Sequence, residues 1–199
     1  ITPTKMLNLA GYGQNRISSS VADSLEINII LINDKKTSLC FISADLLFLS
    51  EKFCQIAFNN LKIPKRNIFL GATHTHSAPN IDPSKENLGQ VNQQYCDFVF
   101  DTFKKGLALI QSQEFKDGTL EFTSTQLSGS VSRRKKAIIF RKKIVPHYGV
   151  QIYPNPGLEI DKTANILIIK DLKKKLKGIM WQFPCHPVAF PDELAISSD

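Results

Sequence analysis

The sequence predicts an α/β domain built on a mixed β-sheet with flanking helices. Short runs rich in β-branched residues recur along the chain between turn residues, a pattern typical of strands. Two amphipathic stretches, 51–61 and 91–111, carry apolar residues at helical spacing. Strands come first, then a helix, a strand and a second helix, and after these mainly strands. This order favours a mixed sheet over the strict alternation of a doubly wound fold.

The first half of the chain supplies the best-defined elements. Strands 25–32 and 37–44 are predicted to form a hairpin, because a turn-forming Asn-Asp-Lys-Lys segment separates them. Ser50 is predicted to cap the first helix, and Pro64 follows the end of that helix. A short apolar strand, 67–72, then runs directly into a Thr-His-Thr-His segment.

The second half is predicted to be mainly β-structure. The predicted strands are 119–126, 137–140, 164–170 and 178–183, and the last two form a hairpin. The segment 147–161 is predicted to be a loop because it contains Pro154, Pro156 and Gly157. No internal repeat or low-complexity linker divides the sequence, so residues 1–199 are predicted to be one folding unit.

Charge and hydropathy limit the classes of function. The chain carries 25 basic and 18 acidic residues, a net charge of +7, with basic runs at 133–136, 141–143 and 173–177. Such runs usually lie on solvated turns, which is the favoured interpretation, although they could face an anionic membrane surface. No nucleic-acid recognition motif accompanies them, so nucleic acid is not a predicted partner. No apolar run approaches the roughly 20 residues that cross a bilayer.

The four cysteines do not form a metal-binding or disulfide pattern. No CxxC spacing occurs, and Cys40 and Cys54 lie in apolar sequence, where cysteines pack as small hydrophobic residues. Cys185 precedes a histidine and could be a nucleophile or a soft metal ligand, but burial is the favoured interpretation.

Three of the four histidines follow apolar strands. His74 and His76 are two residues apart, so both imidazoles would share one face if the strand geometry continued. His186 follows a separate strand, and Pro187 restricts its backbone. Three imidazoles at strand ends could bind zinc, or each could simply be hydrogen-bonded to a loop carbonyl. His147, in a basic loop, is predicted to be a surface residue.

Several motifs resemble the neutral/alkaline non-lysosomal ceramidases. The segment from Thr73 to Pro79, Thr-His-Thr-His-Ser-Ala-Pro, is similar to their hallmark His-Thr-His-Ser-Gly-Pro. The resemblance also covers the opening Ile-Thr-Pro and Ala-Gly-Tyr-Gly segments, the Ser-Ala-Asp after the second strand, Cys-His-Pro at 185–187 and Ser-Ser-Asp at 197–199. These motifs extend over nearly the whole chain.

The resemblance implies a zinc-dependent hydrolase that cleaves the amide of ceramide or a related N-acyl lipid into an amine and a fatty acid. It implies that His74 and His186 are zinc ligands and that His76 contacts the reacting group. Arg133 matches an active-site arginine of the family, although a serine here replaces the preceding asparagine; a solvated basic residue is the alternative. A secreted, periplasmic or membrane-associated location would follow from the family.

The resemblance also implies that further parts of the site are missing. The family completes its zinc shell with a glutamate and a tyrosine far downstream, and nothing in this sequence matches them. The 199 residues are therefore expected to be the N-terminal portion of a larger catalytic domain. Asp45 could orient a ligand imidazole or serve as a turn residue. Two other functions stay open: a metal-dependent hydrolase of other esters or amides, and a non-catalytic lipid-surface-binding remnant.

Overall fold

A computed structural model describes residues 1–13, 15–140, 146–187 and 194–198. The chain forms two compact units, one made of Ile1–Phe115 with Pro187–Asp199 and the other of Lys116–His186. The elements of the first unit, in chain order, are β1 (Ser20–Val21), β2 (Ile27–Asn33), β3 (Ser38–Ala44), α1 (Glu51–Asn60), β4 (Ile68–Ala72), α2 (Gln93–Ser112) and, after the second unit, β10 (Ala195–Ile196). Those of the second unit are β5 (Gly118–Gln126), β6 (Ser132–Phe140), β7 (Pro146–Asn155), β8 (Thr163–Asp171) and β9 (Leu176–Gln182).

A three-stranded mixed sheet forms the base of the first unit. Its strand order is β2-β3-β4, with β2 and β3 antiparallel and β3 and β4 parallel. The predicted hairpin is confirmed, and its turn is held by the Asp34 carboxylate, which accepts from the amides of Lys36 and Thr37. Parallel pairing places the carboxyl ends of β3 and β4 at the same edge of the sheet.

Two helices form the core of the first unit together with this sheet. The Ser50 hydroxyl accepts from the Phe53 amide at 3.2 Å, so the predicted cap of α1 is confirmed. α2 begins at Gln93, two residues later than predicted, because the Asn92 side chain caps it. The rings of Phe53 and Phe103 stack between the helices with centroids 4.1 Å apart, and both side chains are fully buried. Short 3₁₀ turns lie at Lys65–Asn67 and Pro83–Leu88.

The first unit also contains a second, smaller apolar cluster made of Leu9, Leu25, Ala78 and Ile196. These residues come from four distant parts of the sequence. β1 and β10 pair in parallel and bring Ile196 into this cluster. The cluster therefore joins the opening loop, the segment after β4 and residues 194–198.

The second unit is made of antiparallel β-structure. One sheet has the order β5-β8-β9, which confirms the predicted β8–β9 hairpin, and β6 pairs with β7 in a separate ribbon. The loop prediction for 147–161 is wrong over its first half, since β7 occupies Pro146–Asn155. Its prolines stand near the strand ends, where an edge strand tolerates them. β6 is longer than predicted because it includes the four basic residues at 133–136. The basic run 141–143 lies outside the described residues.

Among the described residues, the helices are all too short or too polar to cross a membrane.

Candidate functional site

The His74–His76 segment lies beyond the end of β4, at the sheet edge that the end of β3 shares. Backbone pairing continues beyond the end of β4. The Thr73 amide donates to the carbonyl oxygen of Ala44, and the His74 amide to that of Leu46, each at 3.0 Å. His74 then takes a positive φ of 70°. Strand geometry, the condition under which both imidazoles would share one face, therefore does not continue through the two histidines. A non-glycine residue in this region stores backbone strain, which surrounding contacts have to hold.

The two imidazoles nevertheless lie together. Their ring centroids are 5.2 Å apart in an edge-to-face arrangement, and each ring offers a ligand nitrogen within 4.8 Å of the other's. His74 is exposed, and its Nδ1 lies 2.7 Å from the carbonyl oxygen of Leu47. Because a carbonyl can only accept, this contact places the proton on Nδ1 and leaves the lone pair of the neutral ring on Nε2. A hydrogen bond of this type commonly orients a metal-ligating histidine.

The half-buried ring of His76 packs against the opening loop. It lies 4.6 Å from the ring of Tyr12, between centroids, at 52°. Gly11 has a φ of +106°, and a β-carbon at this position would overlap the His76 ring, with 2.8 Å to Cγ. The absence of a side chain at Gly11 therefore makes room for the imidazole. On Tyr12, the Arg16 guanidinium carbon lies 4.3 Å from the ring centroid, a cation–π contact.

Thr75, between the two histidines, faces away from solvent and is fully buried. Its hydroxyl donates to the carbonyl oxygen of Ser197 at 2.9 Å and accepts from the Ser77 amide at 3.0 Å. The Ser197 amide in turn donates to the Ser77 carbonyl at 3.2 Å. On the other side, the Asp23 carboxylate accepts from the Ser198 amide at 2.6 Å. The histidine segment is thereby tied to residues 195–198.

Hydrogen bonds and apolar packing also fix the residues that follow the two histidines. The Ala10 amide donates to the Ala78 carbonyl at 2.9 Å. Ala78, which replaces the usual glycine of the resembled motif, buries its methyl group in the small cluster described above. The buried side-chain amide of Asn80 donates to the carbonyls of Gly89 and Lys85, at 2.8 and 3.1 Å. The positions around His74 and His76 are therefore set by several segments of the first unit.

Asp45, at the end of β3, supports the same region. Its carboxylate accepts from the Glu26 amide at 2.8 Å and is hydrogen-bonded by the Thr73 side chain. Burial raises the pKa of this carboxyl group, against the two hydrogen bonds that lower it. These contacts favour the turn-residue alternative for Asp45, while the carbonyl of Leu47 holds Nδ1 of His74.

The remaining sequence-predicted residues belong to the second unit. His186 is its last residue and is half-buried, and Arg133 is a half-buried residue of β6. Cys185 is exposed, so the burial expected for it is wrong, because the Phe-Pro-Cys-His segment lies beyond the end of β9. The side chain of His147 lies outside the described part of the structure.

Within the first unit, His74 and His76 each offer an imidazole nitrogen that could contribute to a metal site. An all-imidazole donor set fits zinc better than calcium or magnesium, which prefer oxygen ligands. Sequence reasoning missed Tyr12, Arg16 and Thr75. The Gly-Tyr-Gly segment at 11–13 was a visible signal for the first of them, but nothing local marked the other two.

No protein-family model matches the chain, and no curated protein sequence matches it significantly. Two solved structures do match its fold. The neutral ceramidase from Pseudomonas aeruginosa superposes with a TM-score of 0.71 at 20% identity, over 98% of this chain and 32% of that chain. A ceramidase complexed with C2 gives 0.72 at 18% identity, over 98% and 31%. The expected resemblance is thus confirmed for the fold: the chain has the fold of about a third of a neutral ceramidase.

Proposed function

We propose that this chain is the N-terminal portion of a zinc-dependent hydrolase that cleaves an N-acyl amide bond, in ceramide or a related N-acyl lipid. The paired imidazoles of His74 and His76 are the observation that carries the proposal, because they lie together at one sheet edge in a chain with a ceramidase fold. Since the chain spans about a third of the ceramidases it matches, the remaining zinc ligands would come from other parts of a longer protein.

In this proposal His74 and His186 hold the zinc and His76 handles protons. Bound zinc would polarise the amide carbonyl and make a water nucleophilic near neutral pH. The contact between His74 Nδ1 and the carbonyl of Leu47 supports the ligand role, because it keeps the lone pair on Nε2. His76 can accept a proton on one ring nitrogen and return it to the leaving amine.

The cation that stabilises the oxyanion is proposed to be Arg133. Arg16 is the competing candidate, since it lies over Tyr12, whose ring packs on His76. Comparing Arg133→Gln with Arg16→Gln distinguishes them. Loss of an oxyanion donor lowers kcat by roughly 10²–10³-fold with little change in KM. A variant that changes only KM or only stability identifies its arginine as a binding or packing residue.

Zinc content tests the metal proposal directly. Elemental analysis would compare the longest natural chain containing these residues with its His74→Ala and His186→Ala variants, and with His147→Ala as a matched histidine control. The proposal expects near-stoichiometric zinc that the first two substitutions abolish and the third preserves. Absence of zinc from that protein, or equal loss in all three variants, would contradict it.

Turnover then identifies the substrate class. Release of fatty acid from a short-chain ceramide, lost in His76→Ala while zinc is retained, is the expected result. Zinc binding together with hydrolysis of simple amides or esters, but not of ceramide, would instead favour a different metal-dependent hydrolase.

A further inference from the structure

The β6–β7 ribbon of the second unit concentrates positive charge. β6 contains four consecutive basic residues, 133–136, and neither β6 nor β7 contains an aspartate or a glutamate. The ion pairs recorded among the described residues involve lysines of other elements. The basic run is therefore not neutralised within its own ribbon.

Strand register sorts the ribbon's side chains onto two faces. Arg134 lies opposite Ile152 and Lys136 opposite Val150, and Ile138 is two residues further along the same face. We call these five residues the hairpin face. It therefore combines two cations with three aliphatic side chains.

The hairpin face is open to solvent. Ile138, Val150 and Ile152 are 53%, 58% and 68% exposed, and both cationic residues are exposed as well. Exposed apolar side chains also occur on the β5-β8-β9 sheet, such as Phe122 and Trp181, but on the hairpin face they alternate with cations.

The opposite face of the ribbon differs. Arg133, Ala137 and Gly149 are half-buried there, and the Lys135 ammonium lies 5.2 Å from the ring centroid of Tyr153. Among the described residues of the ribbon, exposed aliphatic side chains therefore lie on the hairpin face, whereas the opposite face exposes Lys135 and the ring of Tyr153, which is 58% exposed.

We propose that the hairpin face docks on an anionic lipid surface, with the aliphatic side chains entering the interface and the two cations contacting lipid phosphates. Each basic residue near such a surface adds to binding, and buried aliphatic groups add a contribution that salt does not screen. A nucleic acid would use the cations but gains nothing from isoleucine and valine on the same face. From the sequence, the favoured interpretation of the basic run 133–136 was a solvated turn. The sequence did not reveal that aliphatic side chains of β7 lie on the same face as Arg134 and Lys136.

The inference extends the proposed function, since an N-acyl lipid substrate resides in a membrane, but its test does not depend on turnover. Purified chain would be co-floated with vesicles of phosphatidylcholine, alone or mixed with phosphatidylglycerol, with EDTA present throughout. Binding is expected only to the anionic vesicles and is expected to weaken, without vanishing, as salt rises from about 0.1 M to about 1 M. Zinc loss would leave this result unchanged, so failure of the metal proposal and failure of this one are distinguishable.

Two variants of the hairpin face have matched controls on α2. Arg134→Gln/Lys136→Gln should lower the vesicle partition coefficient about thirtyfold, and the exposed pair Lys104→Gln/Lys105→Gln should change it little. Ile152→Ser should remove the salt-resistant part of the binding, whereas Leu109→Ser, equally exposed, should not.

Four outcomes would overturn the inference. Equal losses in the hairpin-face and α2 charge variants would mean that only net charge matters. Binding to duplex DNA or RNA that exceeds vesicle binding and is insensitive to Ile152→Ser would assign the face to nucleic acid. No binding to anionic vesicles at low salt would refute the inference directly. Self-association that Ile152→Ser abolishes, in place of vesicle binding, would assign the hairpin face to a protein contact.

Discussion

Replacing Gly11 by alanine should displace His76, and Gly13 provides the matched control. Both glycines have positive φ, +106° and +99°, so either substitution places an alanine in a backbone region that L-residues disfavour. A β-carbon at Gly13 would meet no atom within 4 Å. A β-carbon at Gly11 would meet the His76 ring. The difference between the two variants therefore isolates the contact with the imidazole.

The geometry sets the size of the effect. The positive φ costs about 1–2 kcal/mol of unfolding free energy in each variant. At Gly11 the added carbon would lie 2.8 Å from Cγ and 2.9 Å from Cε1 of His76, against an ordinary carbon–carbon contact of roughly 3.5–4.0 Å. The ring therefore has to move by about 1 Å. Tyr12 and His74 pack on that ring, so it cannot move without disturbing both.

Urea unfolding, imidazole NMR resonances and zinc affinity by chelator competition together test this reasoning. Both variants should unfold at lower urea concentrations, and Gly11→Ala should be the less stable. Only Gly11→Ala should shift the His76 resonances. Because the displaced ring pushes the proposed ligand His74, this variant should also weaken zinc by about 10–100-fold, the loss typical of disturbing a ligand's supporting contacts, whereas His76→Ala removes the ring and leaves His74 in place. Equal spectra and equal zinc affinities in the two variants would refute the claim that Gly11 makes room for His76.

Three further predictions concern Thr75, Asp45 and the cysteines Cys40 and Cys185. Thr75→Val should cost about 1–3 kcal/mol of unfolding free energy and speed amide exchange at Ser197, because the Thr75 hydroxyl joins the histidine segment to residues 195–198. Thr75→Ser should restore the stability and the slow exchange. Failure of that rescue would indicate that Thr75 acts by packing. Asp45 has a raised pKa, so its protonated form stabilises the fold below the ordinary aspartate range, and this contribution is lost as pH rises through the raised value. Asp45→Asn should therefore be more stable than the wild type at pH 7 but not at acidic pH. Denaturation curves at both pH values measure this difference, and the opposite trend would contradict the prediction. Burial raises the pKa of the Cys40 thiol to about 11. Iodoacetamide at neutral pH should therefore label the exposed Cys185 first and label Cys40 only in denaturant. Peptide mass mapping of the labelled cysteines checks this order.

Local patterns were sufficient to predict the first unit's framework. Strands β2 and β3 and the cap at Ser50 each depend on residues adjacent in sequence, and each was predicted with bounds close to those observed. β7 was missed for a physical reason. Its apolar Val150 and Ile152 alternate over only a short run, and prolines stand at or near both of its ends, so composition favoured a loop.

The candidate site was predictable only in its residue types. The His-x-His pattern marked His74 and His76, but the positive φ of His74 and the resulting ring geometry depend on pairing with the end of β3. The contact of Gly11 with His76 joins residues 65 positions apart in the sequence, and that of Thr75 with Ser197 joins residues 122 positions apart. Periodicity and propensity report neighbours a few residues away, so they carry no information about such contacts.

The ties between the histidine segment and residues 195–198 have a consequence for synthesis. The Thr75–Ser197 and Asp23–Ser198 hydrogen bonds span 122 and 175 residues, so they close only after residues 197 and 198 have been translated. Contacts this distant form late in folding, because the chain loses conformational entropy before it gains the bonds. Until residues 195–198 have been translated and have reached the first unit, His74 and His76 therefore lack the support of these hydrogen bonds. Full affinity for a metal would then arise only once the last of these segments has joined the first unit.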